Sequence, residues 1–353
     1  MRSCPIAITL LIGLIFIGCK SAEKRETSAA VVIGKGQMPN ACIDSNGNLH
    51  LVFGNGDSIM YSSSMDQGKS FSRPVLVSML PHLAASHMRG PQIAISSNGL
   101  TIMACNNAGN IFSYKKANSE DWQTAGRVND VDTVAKEGLM ALNGNGQIAY
   151  AVWLDLRDKH NKIFGAKSTD GGLTWSRNIL VYASPDTTVC ECCKPSVAVN
   201  GNNVHVMFRN WINGNRDIYL IQSNDGGITF SNAQKLGNGS WALNGCPMDG
   251  GGLFVKDNLV QTVWNRKGTI YACEPGKPEK EIGRGRSCTI ETMDGKNIYA
   301  WTEKGEVVCL LPQTKTVIGK GGSPVLKAIN KEKVMCIWEN ENQIYSTTLN
   351  LDK

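Results

Sequence analysis

The sequence predicts an all-β fold: a β-propeller of four-stranded antiparallel blades, seven by preference and six as the alternative count. Three observations predict it. One turn spelling recurs three times, strand-turn-strand units recur along the chain, and one short apolar string stands near both ends of the repeating region. Self-similarity of this kind marks repeat architectures, and short alternating runs bounded by Gly and Asn point to strands.

Residues 195–221 show the unit most plainly. Pro195 opens it, Ser196 to Val199 alternates, Asn200 to Asn203 is a turn, Val204 to Phe208 is a second apolar strand, and Asp217 to Ile221 a third. This is the pattern of antiparallel hairpins. Similar units begin near Pro39, Pro91, Met140, Pro195, Pro247, Cys288 and Pro324. An outer strand follows most of them, but the last unit ends without one. The string Val31-Val32-Ile33-Gly34-Lys35-Gly36 matches Val317-Ile318-Gly319-Lys320-Gly321, which serves as outer strand to the sixth unit. The strand of residues 30–35 is therefore expected to complete the last blade and close the ring, leaving no open edge.

The recurring turn reads Ser64-x-Asp66-x-Gly68-x-Ser70-Phe71, then Ser168-x-Asp170-x-Gly172-x-Thr174-Trp175, then Ser223-x-Asp225-x-Gly227-x-Thr229-Phe230. It resembles the Asp box, the bacterial neuraminidase repeat of the sialidase superfamily. Its chemistry is structural: the Asp accepts backbone N–H groups in a tight turn, the Gly takes a positive φ, and the aromatic packs between sheets. The resemblance implies a propeller from residue 30 to the C-terminus at 353, carried clearly by residues 37–237. It also implies that Asp66, Asp170 and Asp225 lie on the face opposite the ligand site. Sialidases have six blades, which keeps six as the rival count.

The N-terminus reads as an export signal. Arg2 precedes an apolar run of about 12 residues, Ile6 to Ile17, too short for the roughly 20 that a spanning helix needs. The run ends in Phe16-Ile17-Gly18-Cys19, which resembles the lipobox of bacterial lipoproteins although Phe16 stands where Leu is usual. The resemblance implies removal of residues 1–18, lipidation of Cys19, a flexible tether over 19–29, and an anchor in the cell envelope. Lys20, where Asp would retain the protein, implies the outer membrane. The formal net charge is +6, but Lys and Arg are scattered with no basic run, so nucleic acid is not an expected partner. A monomer is expected.

In a propeller, the loops entering the inner strands and those joining second to third strands share the channel face, the usual ligand site. This chain places Arg89, Asp155, Arg209, Asp249 and Arg286 there. Arginines from different blades suit a carboxylate, which a guanidinium fork binds bidentately. Sialidases are similar, holding their ligand by three arginines with an Asp as acid/base and a Tyr-Glu nucleophile pair. Arg89, Arg209 and Arg286 would form the trio, with Asp155 or Asp249 as acid. The F/Y-R-I-P motif that opens sialidases is absent, and no Tyr marks a nucleophile. Loop arginines that merely pair with neighbouring carboxylates are the plainer alternative.

Of twelve cysteines, the lipobox resemblance implies that Cys4 leaves with the signal and that Cys19 would carry lipid. Cys190, Cys192 and Cys193 enter one blade, and Cys246 enters the next at the same point. Export allows disulfides, with Cys192 or Cys193 bonded to Cys246 as an interblade staple. Soft thiolates at this density also suit Cu or Zn, although zinc-finger spacing is absent and no cofactor is required. Free buried thiols are the third option. Three functions stay open: a sialidase-like propeller binding a glycan or small anionic ligand, an active exo-α-sialidase or related glycoside hydrolase, and a metal-binding or interaction protein using the Cys cluster.

Overall fold

A computed structural model describes Met1 and residues 29–117, 121–312 and 314–351. The signal, Cys19 and most of the tether lie outside the described residues. Within them no helix is long and apolar enough to cross a membrane.

The strands form seven four-stranded antiparallel sheets, each a blade. The inner strands, in blade order, are Gln37–Ile43, Gln92–Ser96, Met140–Asn145, Ser196–Asn200, Gly251–Lys256, Arg286–Met293 and Gly322–Ala328. Seven inner strands in seven sheets exclude the six-bladed alternative. The second unit and the last three lack the recurring turn, yet each builds a complete sheet. In blade seven the order is Gly322–Ala328, Lys333–Asn340, Gln343–Asn350 and then Val31–Lys35, so the N-terminal strand closes the ring.

The apolar core lies between blades, because alternate side chains of a strand face opposite neighbours. The second strand of blade three, Ile148–Asp155, is buried along its whole length. Its Tyr150, Val152 and Leu154 pack with Val204 and Phe208 of blade four. Its Ala151 and Trp153 pack with Met103 and Ile111 of blade two. Outer strands such as Val75–Met79 meet solvent and show no such pattern.

The three recurring turns fold alike. Ser64 Oγ donates to Asp66 Oδ1 (2.8 Å) and accepts the Gly68 N–H (2.8 Å), while Asp66 accepts the Ser70 N–H (2.9 Å). Ser168, Asp170, Gly172 and Thr174 repeat this set, as do Ser223, Asp225, Gly227 and Thr229. The turn glycines Gly68, Gly172 and Gly227 sit at φ of 78°, 85° and 83°. A Cβ on them would overlap Met335, Thr101 and Tyr150, each on the preceding blade of the ring. Tyr150 Oη donates to the Gly227 carbonyl (2.9 Å), and Trp175 Nε1 donates to Ser113 Oγ (3.0 Å). The turns are therefore clasps between blades. They join third to fourth strands, at the end of the ring opposite to where the inner strands begin.

Asp170→Ala is expected to lower stability by about 1–3 kcal/mol, by leaving turn donors unpaired, and Asp225→Ala acts in the same direction. Denaturant unfolding measures this. Lost ligand binding at unchanged stability would instead place these turns at the working end.

Candidate functional site

All seven inner strands line one axial cavity of about 400 Å³. Every inner strand enters from the same end, so residues at the strand starts form the channel mouth. Asn40, Gln92, Lys194, Asp249 and Ser287 stand at these starts; Glu291 and Lys327 lie deeper.

Lys194 is held by its local sequence. Pro195 follows it, and Gly250 packs so tightly on its carbonyl that a Cβ there would meet the oxygen at 2.5 Å. Its Nζ donates to Gln92 Oε1 (2.7 Å), two blades away. Among the described residues the ammonium makes no ion pair. Burial alone pushes its pKa down, to about 8. Sequence reasoning placed Lys194 at the channel end only as a neighbour of the cysteines; no linear signal distinguishes it from a solvated lysine.

Asp249 is 2 % exposed. Its Oδ2 accepts the Ser287 N–H (3.1 Å), and its Oδ1 is buried without a partner among the described residues. Burial pushes the carboxyl up, to about 6, against the opposing pull of Arg209, the Ser287 N–H and Arg286. A carboxyl so placed can give or take a proton at the cavity wall.

The other four candidates divide. Arg209 is buried, and its guanidinium donates to the carbonyls of Asp249 (3.3 Å), Arg216 (2.8 Å) and Asn265 (2.8 Å). It cross-braces blades four and five and offers no free fork to a ligand. Arg286 is exposed, with Nη2 on the Met248 carbonyl (3.2 Å), so it borders Asp249. Arg89 is bound on the far side of the mouth, its Nε on the Glu137 carbonyl (2.5 Å) and Nη2 near Glu137 Oε2 (3.4 Å). Asp155 is fully buried and accepts Trp153 Nε1 (2.8 Å), the Arg157 N–H (2.9 Å), and Arg157 Nε and Nη2 (both 2.9 Å). The trio expected of Arg89, Arg209 and Arg286 is thus not a clamp: all three donate to protein carbonyls, and only Arg286 is exposed. Asp155 is an internal anchor for its own hairpin.

The sulfurs come together. Cys192 and Cys246 form a disulfide with a Cα separation of 6.1 Å, joining the entries of blades four and five. Cys190 Sγ lies 3.3 Å from Cys193 Sγ and 3.9 Å from Cys192 Sγ. Arg216 Nη1 donates to Cys190 Sγ (3.1 Å), and the guanidinium stacks on Trp211 at 4.8 Å. The hydrogen bond from Cys193 and then the charge of Arg216 push the Cys190 thiol down, to about 6; burial pushes Cys193 up. The sulfurs of Cys190, Cys192 and Cys193 lie within 4.8 Å of one another, so the cluster can chelate a soft metal ion. With Cys192 in the disulfide, two thiols remain for that purpose. Cys288 is buried in the channel wall as a separate free thiol. Cys105, Cys273, Cys309 and Cys336 are free and buried in the blades.

No protein-family model and no curated protein matches the chain. Solved structures match over nearly its whole length. A protein of unknown function from Dyadobacter fermentans superposes at TM-score 0.52 with 14% identity, covering 93% of this chain and 99% of that one. The BP39L lectin from Burkholderia pseudomallei gives TM-score 0.65 with 8% identity, covering 90% and 96%. The fucose-specific lectin from Aleuria aurantia gives TM-score 0.52 with 10% identity, covering 82% and 96%. At such identities the likeness is one of fold alone: this chain is a seven-bladed propeller whose overall fold resembles these structures.

Proposed function

We propose that this chain is a cell-envelope propeller that binds a small anionic ligand, an acidic sugar or related carboxylate, at the mouth of its axial channel. The observation that carries the reading is Lys194: a half-buried lysine of the channel wall whose ammonium has an amide as its partner and, among the described residues, no carboxylate to neutralise it. A partly desolvated cation without a counter-ion is costly, and an incoming anion relieves the cost. Arg286 on the rim adds a second cation. The lectins that share the fold make a sugar the natural class, and the recurring turns, which resemble the Asp boxes of the sialidase superfamily, point to the same class of ligand. Lipidation at Cys19 would hold the ring at the outer membrane; Cys19→Ala should then release the protein to the soluble fraction.

Titration calorimetry with N-acetylneuraminate and galacturonate, against fucose as neutral control, tests this. Lys194→Met is expected to weaken the acidic sugars by about 10- to 100-fold, the worth of one charge-assisted hydrogen bond. Affinity should be highest below pH 6, where Lys194 is charged and Asp249 neutral. It should fall as Asp249 ionises near 6, and again as Lys194 loses its proton near 8. Fucose binding equally to wild type and Lys194→Met, with no binding of the acids, would sink the anionic reading.

One observation favours a second reading, an exo-α-sialidase or related glycoside hydrolase. Asp249 holds its proton to about pH 6, as a general acid must. Turnover of a fluorogenic sialoside that disappears in Asp249→Asn would establish it.

A further inference from the structure

The four sulfurs at the entries of blades four and five are more than a staple. We propose that they form a thiol–disulfide exchange centre, in which the buried Cys190–Cys193 dithiol passes two electrons through the Cys192–Cys246 disulfide to a disulfide of a second molecule.

The placement carries this. Cys190 and Cys193 are 0% and 2% exposed, so an external disulfide cannot reach them directly. Cys246 is exposed, in a loop whose neighbours Asn244 and Gly245 are exposed as well. Cys192 stands between the two pairs, its sulfur 3.9 Å from Cys190 Sγ and bonded to Cys246. Arg216 stabilises negative charge on Cys190 Sγ from 3.1 Å, and its Nε also reaches the Leu243 carbonyl (3.4 Å) in the Cys246 loop. Arg216 therefore touches both the attacking sulfur and the segment that carries the leaving sulfur. Its own carbonyl is fixed by Arg209 Nη1 (2.8 Å), and the Cys190 N–H is fixed to the Arg209 carbonyl (3.1 Å). Exchange needs an attacking sulfur, an adjacent disulfide and a leaving sulfur with access to its next partner, and the geometry places all three together.

The steps balance. The Cys190 thiolate attacks Cys192 Sγ; the Cys192–Cys246 bond breaks, and Cys246 leaves as a thiolate. Cys193, 3.3 Å from Cys190, loses its proton to solvent and attacks Cys190 Sγ, forming Cys190–Cys193 and freeing Cys192 as a thiolate. Cys246 then attacks an external disulfide RSSR, forming Cys246–SR and releasing one RS⁻. Cys192 displaces the second RS⁻ and restores Cys192–Cys246. The sum is oxidation of Cys190 and Cys193 to a disulfide and reduction of RSSR to two RSH, with the two thiol protons carried to the products.

The test uses the full chain purified without reductant and glutathione disulfide as the probe. Released glutathione is followed in time, and the protein is acid-quenched, alkylated and mapped by mass spectrometry. Wild type is expected to release two glutathiones per chain as a Cys190–Cys193 disulfide appears. Replacing both Cys192 and Cys246 by Ser, which keeps the buried dithiol but removes the conduit, should slow that oxidation at least tenfold. Arg216→Gln, which keeps all four sulfurs and so stands even if the double variant misfolds, should slow it about tenfold, and Arg216→Lys should restore most of the rate. No Cys190–Cys193 disulfide in wild type, or equal rates in wild type and in a folded double variant, overturns the proposal. A rate indifferent to Arg216→Gln overturns it likewise.

Discussion

Deleting residues 30–36 is expected to cost the ring about 5 kcal/mol, whereas deleting residues 20–28 leaves its unfolding midpoint unchanged. The strand Val31–Lys35 pairs antiparallel with Gln343–Asn350, with Val31 opposite Ser346 and Lys35 opposite Gln343. The Gly36 N–H adds a bond to the Asn342 carbonyl (2.8 Å). Ile33 is buried with Leu49 and Phe53 of blade one and Ile337 and Ile344 of blade seven, so it seals the seam at which the ring closes. Each lost ladder bond contributes about 1 kcal/mol, and burial of one Ile about 2 kcal/mol. Their total rivals the net stability of many domains, about 5–15 kcal/mol. The deletion also bares the Gln343–Asn350 edge to intermolecular pairing. Urea unfolding and light scattering of the two truncations measure both effects; equal tolerance of the two would mean that the ring does not depend on this strand.

Asp155→Ala is expected to destabilise the fold by about 3 kcal/mol while leaving ligand affinity of the folded protein intact. The carboxylate is fully buried and holds Trp153 Nε1 together with the backbone N–H, Nε and Nη2 of Arg157. Removing one partner of a buried ion pair strands the other in low dielectric, typically at about 3–5 kcal/mol. The lower figure applies because Arg157 keeps Asp130 (3.2 Å) and Asn178 (3.1 Å). The guanidinium also lies over Phe164 at 3.9 Å, so its displacement disturbs the seam between blades two and three. Denaturant unfolding reads the loss. Intact stability with abolished sialoside turnover would instead return Asp155 to the role of catalytic acid.

These two residue sets mark the boundary of what the sequence reveals. Ring closure was legible because it rests on local pattern: the Val-Ile-Gly-Lys-Gly string repeats at Ile33 and Ile318, and the last unit lacks an outer strand. The recurring turns were legible for the same reason, since the side chains of Ser64, Asp66 and Ser70 make their hydrogen bonds within a few residues of one another. Asp155 and Arg209 carry no such mark. A charged residue next to a loop looks the same in sequence whether it faces ligand or backbone.

The sequence by itself determined the strand order within each blade and the closing strand, and it preferred seven units over six. Periodicity and turn chemistry act over two to eight neighbouring residues, and that range suffices for a repeat fold. The tertiary structure alone decided which side chains remain available. It committed Arg209 to three carbonyls from separate strands, left Lys194 with only the Gln92 amide, buried Asp249 with one oxygen unpaired, and chose Cys192 over Cys193 as the partner of Cys246. Each choice depends on distances of a few ångströms between different blades. Blade twist and side-chain packing set those distances, and no spacing along the chain encodes them.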